Sequence, residues 1–460
     1  MLENQLWAIY EKELYLEWMQ ARDEGKDVMA YEEICKSISE TAMREDRMVD
    51  STHALALAVR RKLLEAPILE NYSYVEPSDL AGIRECKPSR RHHFKPLVMD
   101  TMDEAAIKDK LAGAWIGRIS GCLLGKPLEI MMSEPIDVVL KGTNNYPLHR
   151  YLMYSELTDL VKDQIAYDKR ESWQNCWADT IGGTAPIDDD TNYTVFAMKL
   201  LENYGKDFRP NDVLEAWLCW LPMFSTCTAE RIAYRNAASG LYAPETATYL
   251  NPYREWIGAQ IRGDFFGYVN MGNTELAAEM AWRDASISHV KNGIYGEMFV
   301  AAMIAAAGVC DDVMTVVEAG LDEIPLASRL RRDIEKVITW YNEGCSETEI
   351  IKHIHETYNE KVWHGWCHTN ANAMVVVMAL LYGKKDFGKS ICLAVQAAFD
   401  TDCNGATVGS IVGMLVGAQK IPAYWYEIYN QRLSTSIMGY NMVTVPQLVE
   451  QTLCVMRKIN

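Results

Sequence analysis

Six carboxylates in three short motifs are the residues of this 460-residue chain best suited to chemistry. Asp400 and Asp402 stand two apart in Phe399-Asp400-Thr401-Asp402-Cys403-Asn404. Asp188, Asp189 and Asp190 are consecutive and lead into Thr191 and an amphipathic stretch carrying Val195, Phe196, Met198, Leu200 and Leu201. Glu129 follows Lys126-Pro127 at the end of a glycine-rich segment. Capping a helix explains one aspartate at its start, Asp188 or Asp190, and the helix dipole offsets part of the repulsion among neighbours. A trio beside a second acidic pair points further, to a hard cation, because all-oxygen donors suit Mg²⁺, Mn²⁺ or Ca²⁺. Six acids from three regions can hold two ions, and paired ions about 3.5–4 Å apart activate water and stabilise charge on substrate oxygens. Such a centre serves hydrolysis of a phosphate ester or of a glycosidic bond.

Two helices must bring these motifs together. After Asp402, Gly405, Gly409, Gly413 and Gly417 recur every fourth residue, and Gly113, Gly117, Gly121 and Gly125 repeat the spacing before Glu129. Residues four apart share a helix face, and an interior glycine costs about 1 kcal/mol relative to alanine. Two bare faces therefore predict close antiparallel packing, which sets Glu129 beside Asp400 and Asp402. Apolar periodicity predicts further helices near 211–220, 273–287, 293–308, 327–342, 347–358, 370–382, 386–398, 404–418 and 445–457. No run of alternating strands, dinucleotide fingerprint or phosphate loop interrupts them, so the fold class is all-α. Residues 140–187 are aromatic and loop-like (Tyr146, Tyr151, Tyr154, Trp173, Trp177), a length of loop that is usually functional or disordered.

The N-terminal 100 residues differ in character. Residues 1–66 read as three helices, the first with Leu6, Ile9, Tyr10, Leu14 and Trp18 on one face, the second near 30–43, the third after Asp50-Ser51. Residues 67–100 gather Pro67, Pro77, Pro88 and Pro96 and a basic knot of Lys87, Arg90, Arg91, His92, His93 and Lys95. They read as a linker or wrapping arm, and the knot as a solvated charge cluster. The expected organisation is a helical extension and linker over 1–100 and a catalytic domain over 101–460, with the extension covering the core or building a homo-oligomer interface.

The charge balance, −18 from 63 acidic and 45 basic residues, argues against nucleic acid or an anionic membrane as a partner. The apolar runs near 298–309 and 405–418 are shorter than the roughly 17–25 residues of a membrane span. Twelve cysteines, among them Cys122, Cys219, Cys310 and Cys392, include no Cys-x-x-Cys pair and read as reduced thiols of a cytoplasmic protein. Glu3, Glu11 and Glu13 are unlike a signal peptide. His364 and His368 have helical i, i+4 spacing, but Gly365 and the flanking Trp363 and Trp366 suggest a loop or helix start rather than a zinc site.

Over roughly 105–460 the chain resembles the ADP-ribosylglycohydrolase family, of the dinitrogenase-reductase-activating glycohydrolase type. The family's glycine helix, Asp-x-Leu-x-Gly-(x)3-Gly-(x)3-Gly-Asp-x-x-Gly-x-x-x-Glu, corresponds to Asp109 through Glu129. Its Ser/Thr-Asp-Asp-Thr corresponds to Asp188-Asp189-Asp190-Thr191, and its Asp-x-Asp-Thr to Asp400-Thr401-Asp402-Cys403. The resemblance implies an orthogonal multi-helix domain with a binuclear Mg²⁺ or Mn²⁺ centre. It implies metal ligands at Asp188, Asp189, Asp190, Asp400, Asp402 and Cys403, and catalytic roles for Glu129, Asp189 and Asp402. The middle motif Asn-Gly-x-x-Met-Arg is similar to Ile257-Gly258 through Arg262, and a later histidine to His289, followed by Asn292, Gly293 and Tyr295. Gly258, Arg262, His289, Asn292, Gly293 and Tyr295 are thus expected near substrate. Four positions depart from the pattern: Asp188 stands for a neutral hydroxyl, Cys403 for threonine, Cys122 for aspartate and Ile257 for asparagine. The implied activity is metal-dependent hydrolysis of an N- or O-linked ribosyl bond in a small-molecule or ribosylated substrate. The alternatives are a non-catalytic metal- or ligand-binding relative and a hydrolase of another glycosidic or phosphoester substrate.

Overall fold

A computed structural model describes residues 7–45, 47–89, 92–97, 103–165 and 175–459. Glu3, Leu6, Arg90, Arg91 and Trp173 of the sequence analysis lie outside them. The described chain is built of helices, and its one small sheet is a hairpin of two three-residue strands, Arg432–Ser434 and Met442–Thr444. Two helices with apolar residues all round, Lys291–Ala307 and Thr369–Gly383, run through the interior, as such helices must. Against both lies one glycine helix, Thr401–Val416, and the other, Glu104–Gly125, packs on it. The other expected helices appear within a few residues of their predicted bounds. Thr228–Ala238 and Val313–Leu321 are additional, short amphipathic helices that sequence periodicity did not single out. The segment expected as loop contains the helix Asp159–Gln164, and the helix Ser133–Gly142 runs into its start.

The glycine faces meet antiparallel and in register. A methyl group added at Gly113, Gly117 or Gly121 would fall on the carbonyl oxygen of Gly413, Gly409 or Gly405, and one at Gly125 on the backbone of Thr401. The reverse also holds: methyls at Gly405, Gly409 and Gly413 would strike the carbonyls of Gly121, Gly117 and Gly113. Backbone therefore packs on backbone along four turns. The pairing ends with Thr401 Oγ1 donating to the Gly125 carbonyl at 2.9 Å, which fixes the C-terminus of one helix to the N-terminus of the other. At the far end Asp109 Oδ1 accepts from the Gln419 N–H at 2.9 Å.

The N-terminal helices Leu14–Asp23, Glu32–Met43 and Asp50–Glu65 form a small core of their own around Leu14, Trp18, Val28, Cys35, Ile38 and Leu63. They are anchored to the rest by buried ion pairs of Glu17 and Glu24 with Arg254 at 2.7 and 2.8 Å, and by a hydrogen bond between Asp23 and His364 at 2.9 Å. The following residues wrap the larger body. Val75 N–H donates to the Ala327 carbonyl, Glu76 pairs with Arg329 at 2.9 Å, and Leu97 N–H donates to the Met271 carbonyl. In the described part of the basic knot, Lys87 pairs with Glu323 and Glu275 and His92 with Asp322, whereas His93 and Lys95 are exposed. The twelve cysteines are free thiols; Cys122 and Cys392 are buried, whereas Cys219 is exposed. Among the described residues no helix is long and apolar enough to cross a membrane.

Two measurements test these contacts. Gly117→Ala drives a methyl into a carbonyl that cannot move without its helix, so it should cost at or beyond the 1–3 kcal/mol typical of overpacking. Gly344→Ala, in open space at φ 85°, is the control and should cost about 1 kcal/mol in urea unfolding. Equal costs would refute the tight helix pair. Glu13 is 8% exposed, and burial pushes its carboxyl up from 4.5 to about 7, against the pull of its hydrogen bond with Tyr253. A carboxyl raised on folding contributes stability that is full below about 4.5 and is lost as pH rises through about 7. Glu13→Gln should therefore melt higher than the native protein at pH 8, with the gap closing towards pH 4.5; a pH-independent gap would contradict it.

Candidate metal centre

Each acidic motif sits at a helix terminus, and the glycine pair sets their spacing. Ala398 and Phe399 both adopt left-handed backbone, at φ 65° and 57°, a conformation that costs non-glycine residues about 1–3 kcal/mol each. The turn they make reverses the chain and delivers Asp400 as the residue before the Thr401–Val416 helix. Phe399 is held by burial and by stacking on His355 at 4.5 Å. Asn372 fixes the same turn, its Oδ1 accepting from the Asp400 N–H at 3.1 Å and from Asn404 Nδ2 at 2.8 Å. On the other side Asp188 caps the Asp189–Tyr204 helix, its Oδ1 accepting from the Asp190 N–H at 2.9 Å. Glu129 lies just beyond the short turn Lys126–Leu128 that ends the first glycine helix.

The six acids converge. Lys126 Nζ stands 2.6 Å from Glu129 Oε2, 2.6 Å from Asp188 Oδ2 and 3.3 Å from Asp402 Oδ2, one oxygen from each motif. Asp190, Asp402 and Cys403 bring ligand atoms within 4.8 Å of one another, as do Cys122, Asp188 and Asp190. Asp400 and Asp189 border the same group: Asp402 raises Asp400, and Asp188 and Asp402 raise Asp189. Asp188, Asp190 and Asp402 are buried, whereas a quarter of the Glu129 side chain is exposed, so the centre opens to solvent on the Glu129 side.

Burial and mutual repulsion shape the proton affinities. Burial, then Asp402, pushes Glu129 up to about 8; burial, then Asp188, pushes Asp189 up to about 7. Burial alone would raise Asp188, but the Lys126 ammonium outweighs it and holds Asp188 below the usual range. Burial also works against charging Lys126, yet Asp188, Glu129 and Asp402 keep it firmly protonated. The Cys403 thiol is held neutral by burial and by Asp190 and Asp400.

Arg118 is the hidden support of this arrangement. It lies fully buried in the first glycine helix, donating Nη2 to Asp190 Oδ1 at 2.7 Å and to the Asp190 carbonyl at 2.9 Å. Its Nη1 reaches Thr407 Oγ1 on the second glycine helix at 3.2 Å and Asp264 Oδ2 at 3.4 Å. Asp190 thereby keeps one oxygen on Arg118 and leaves Oδ2 buried without a hydrogen-bond partner. That bare oxygen, with Asp402 beside it, fits a hard divalent ion. The place where Glu129, Asp188 and Asp402 meet does not fit a second ion as the side chains stand, because an ammonium fills it.

The residues expected near substrate divide into two groups. Gly258, Arg262 and His289 gather around Glu230: a methyl at Gly258 would strike its carboxylate, Arg262 Nη1 donates to it at 2.5 Å, and His289 Nδ1 lies 4.0 Å away. Arg262 is itself buried, bonded to Asp284 and Ser288 as well. Glu230 also raises Asp189, which ties this cluster to the acid centre. Asn292, Gly293 and Tyr295 instead face the N-terminal arm and its anchor. Asn292 Nδ2 donates to Glu76 Oε1 at 2.8 Å, Tyr295 OH donates to the Pro77 carbonyl, and Gly293 lies against the Arg254 carbonyl. His364 ends up in a short helix, Trp363–Cys367, and His368 caps the next one. His364 accepts from Trp256 Nε1 at Nδ1 and faces Asp23 at Nε2, so both its nitrogens are engaged.

Sequence reasoning passed over Lys126, Arg118, Glu230 and Asn372. A lone arginine inside an apolar glycine helix was a readable signal for Arg118; nothing local marks the other three.

Fold and site together define an all-α protein organised around a carboxylate centre where three helix termini meet. A family model described as ADP-ribosylglycohydrolase matches residues 103–451, and the chain belongs to that family. Among solved structures it is similar to an ADP-ribosylglycohydrolase-related protein complex, at 17% identity and TM-score 0.49, over 77% of this chain and 100% of that one. A search of curated proteins finds no match.

Removing Arg118 alone would leave Asp190 and Asp264 uncompensated in a dry interior. Arg118→Leu should lose about 3–5 kcal/mol in urea unfolding, the usual cost of breaking a buried pair from one side. A loss under about 1 kcal/mol would show that Arg118 does not support the centre.

Proposed function

We propose that this chain is a metal-dependent glycoside hydrolase that cleaves an N- or O-linked ribosyl bond with a metal-oriented water. The observation that carries the reading is the convergence of Glu129, Asp188–Asp190, Asp400 and Asp402 from three family-matched motifs on one solvent-facing centre. Asp190 and Asp402, with Asp189, Asp400 and Cys403 beside them, would hold Mg²⁺ or Mn²⁺. Such an ion supplies a Lewis acid that binds ribose hydroxyls and orients water.

The side chains have distinct tasks in this reading. Glu129, a quarter exposed on the open side, positions the water and takes its proton. Its carboxyl holds a proton to about 8 while no further cation faces it, and an added positive charge lowers that value towards the range of a base. Asp189 and Asp402 face the positive charge that develops at the anomeric carbon in an oxocarbenium-like transition state. Asp188 anchors Lys126 and keeps the cluster from flying apart. Gly258, Arg262 and His289 act through Glu230, which forms one wall of the substrate site.

In this proposal residues 101–460 carry the chemistry and residues 1–100 form an attached cover. The arm seated on Asn292 and Tyr295 favours a small ribosyl compound over a bulky protein conjugate. Twelve free thiols suit a cytoplasmic location.

A panel of ribosylated and other glycosidic compounds, incubated with Mg²⁺ or Mn²⁺ and analysed for released sugar, tests the activity. Asp402→Asn and Glu129→Gln should each lower turnover at least 100-fold, and chelation should abolish it. Turnover that survives chelation and both substitutions would sink the reading. Free phosphate without free sugar would move the chain to the phosphoesterases.

A further inference from the structure

Among the described residues, Lys126 is the one basic side chain whose charged end lies among carboxylates of all three acidic motifs. Its backbone has no slack: it caps the first glycine helix, and the preceding Gly125 is pressed against the Thr401 and Asp402 backbone. The side chain leaves that fixed point and ends 2.6, 2.6 and 3.3 Å from Glu129, Asp188 and Asp402. Three carboxylate oxygens from separate segments around one point are the environment of a cation, and here the cation is covalently part of the chain. The partner carboxylates are 1% and 2% exposed for Asp188 and Asp402, so water does little to screen them.

The charge pattern agrees. Asp188 adds a carboxylate where the family motif has a neutral hydroxyl, and Lys126 adds a positive charge in direct contact with it. Arg118 is committed to Asp190 and Asp264 and is not a rival for this place. On the other side of the centre, Asp190 Oδ2 is buried with no hydrogen-bond partner, and Asp190, Asp402 and Cys403 converge within 4.8 Å. That side has donors for one ion. A second divalent ion among Glu129, Asp188 and Asp402 would have to share their oxygens with an ammonium that hydrogen-bonds Glu129 and Asp402 and stands 2.6 Å from Asp188, and like charges so close repel strongly.

We infer that Lys126 is a built-in cation: its ammonium holds the position where Glu129, Asp188 and Asp402 converge, and the centre takes a single divalent ion on the Asp190–Asp402–Cys403 side. This rests on the metal-dependent reading above and changes its stoichiometry. Asp188 then acts as the partner of the ammonium rather than as a metal ligand. The neutral thiol of Cys403 beside the ion site also predicts tighter binding of Mn²⁺ than of Mg²⁺, since a sulfur neighbour suits the softer ion better.

Mn²⁺ titration of the full chain, followed by calorimetry and electron paramagnetic resonance, tests the inference without any substrate. The native protein should bind one Mn²⁺ per chain with the six-line spectrum of an isolated ion, and Asp190→Asn should weaken that binding at least tenfold. Lys126→Met, and Lys126→Gln as a second variant in case the first folds poorly, should bind two ions with a broadened, spin-coupled spectrum. Two coupled ions in the native protein would overturn the inference and leave the glycohydrolase reading standing. A single ion in folded Lys126 variants would overturn it too, because the ammonium would then not be what excludes the second. No Mn²⁺ binding at millimolar concentration would overturn the metal-dependent reading itself.

Discussion

Backbone contact between two helices is the constraint on which the rest of this protein depends. Gly113, Gly117 and Gly121 give the carbonyls of Gly413, Gly409 and Gly405 space that any side chain would take. Because the contact is backbone on backbone, it has almost no compliance. The end of one helix, with Lys126 and Glu129, is therefore fixed against the start of the other, with Asp400 and Asp402. The entropic cost of seven helical glycines makes sense only as the means to this approach.

Close approach then creates an electrostatic difficulty, since it gathers six carboxylates around the junction of three helix termini. Two cations manage it from opposite sides, Arg118 fully buried and Lys126 partly exposed. Arg118, within the glycine helix, binds Asp190 and reaches Thr407 and Asp264. Lys126, at the end of the same helix, faces Asp188, Glu129 and Asp402. Between them Asp190 Oδ2 remains bare, and the left-handed turn at Ala398–Phe399 stores strain where Asp400 enters.

The N-terminal extension adds a second layer. It has its own small core, but its acids find their partners in the larger body, at Arg254, Arg329 and His364. The same contacts lock Asn292 and Tyr295 beneath Glu76 and Pro77. Residues that family resemblance would offer to a substrate are here part of an internal seam, and Glu230 takes over as the point on which Gly258, Arg262 and His289 converge.

Sequence periodicity alone determined the helical class, most helix positions and the antiparallel partnership of Gly113–Gly125 with Gly405–Gly417. Those features are local or depend on one-dimensional spacing: a four-residue glycine repeat must line one face, whatever surrounds it. It also singled out the six acids, because repelling carboxylates in sequence need a cationic partner. What only the tertiary structure decided is which cation each acid meets. Lys126 read as the end of a helix, and Arg118 drew no reading. Each acquires its role by touching residues some 60 to 280 positions away, which no local pattern encodes. The seam over Asn292 and Tyr295 is likewise a long-range contact, made by an arm whose proline-rich sequence carries no periodicity to announce where it lies.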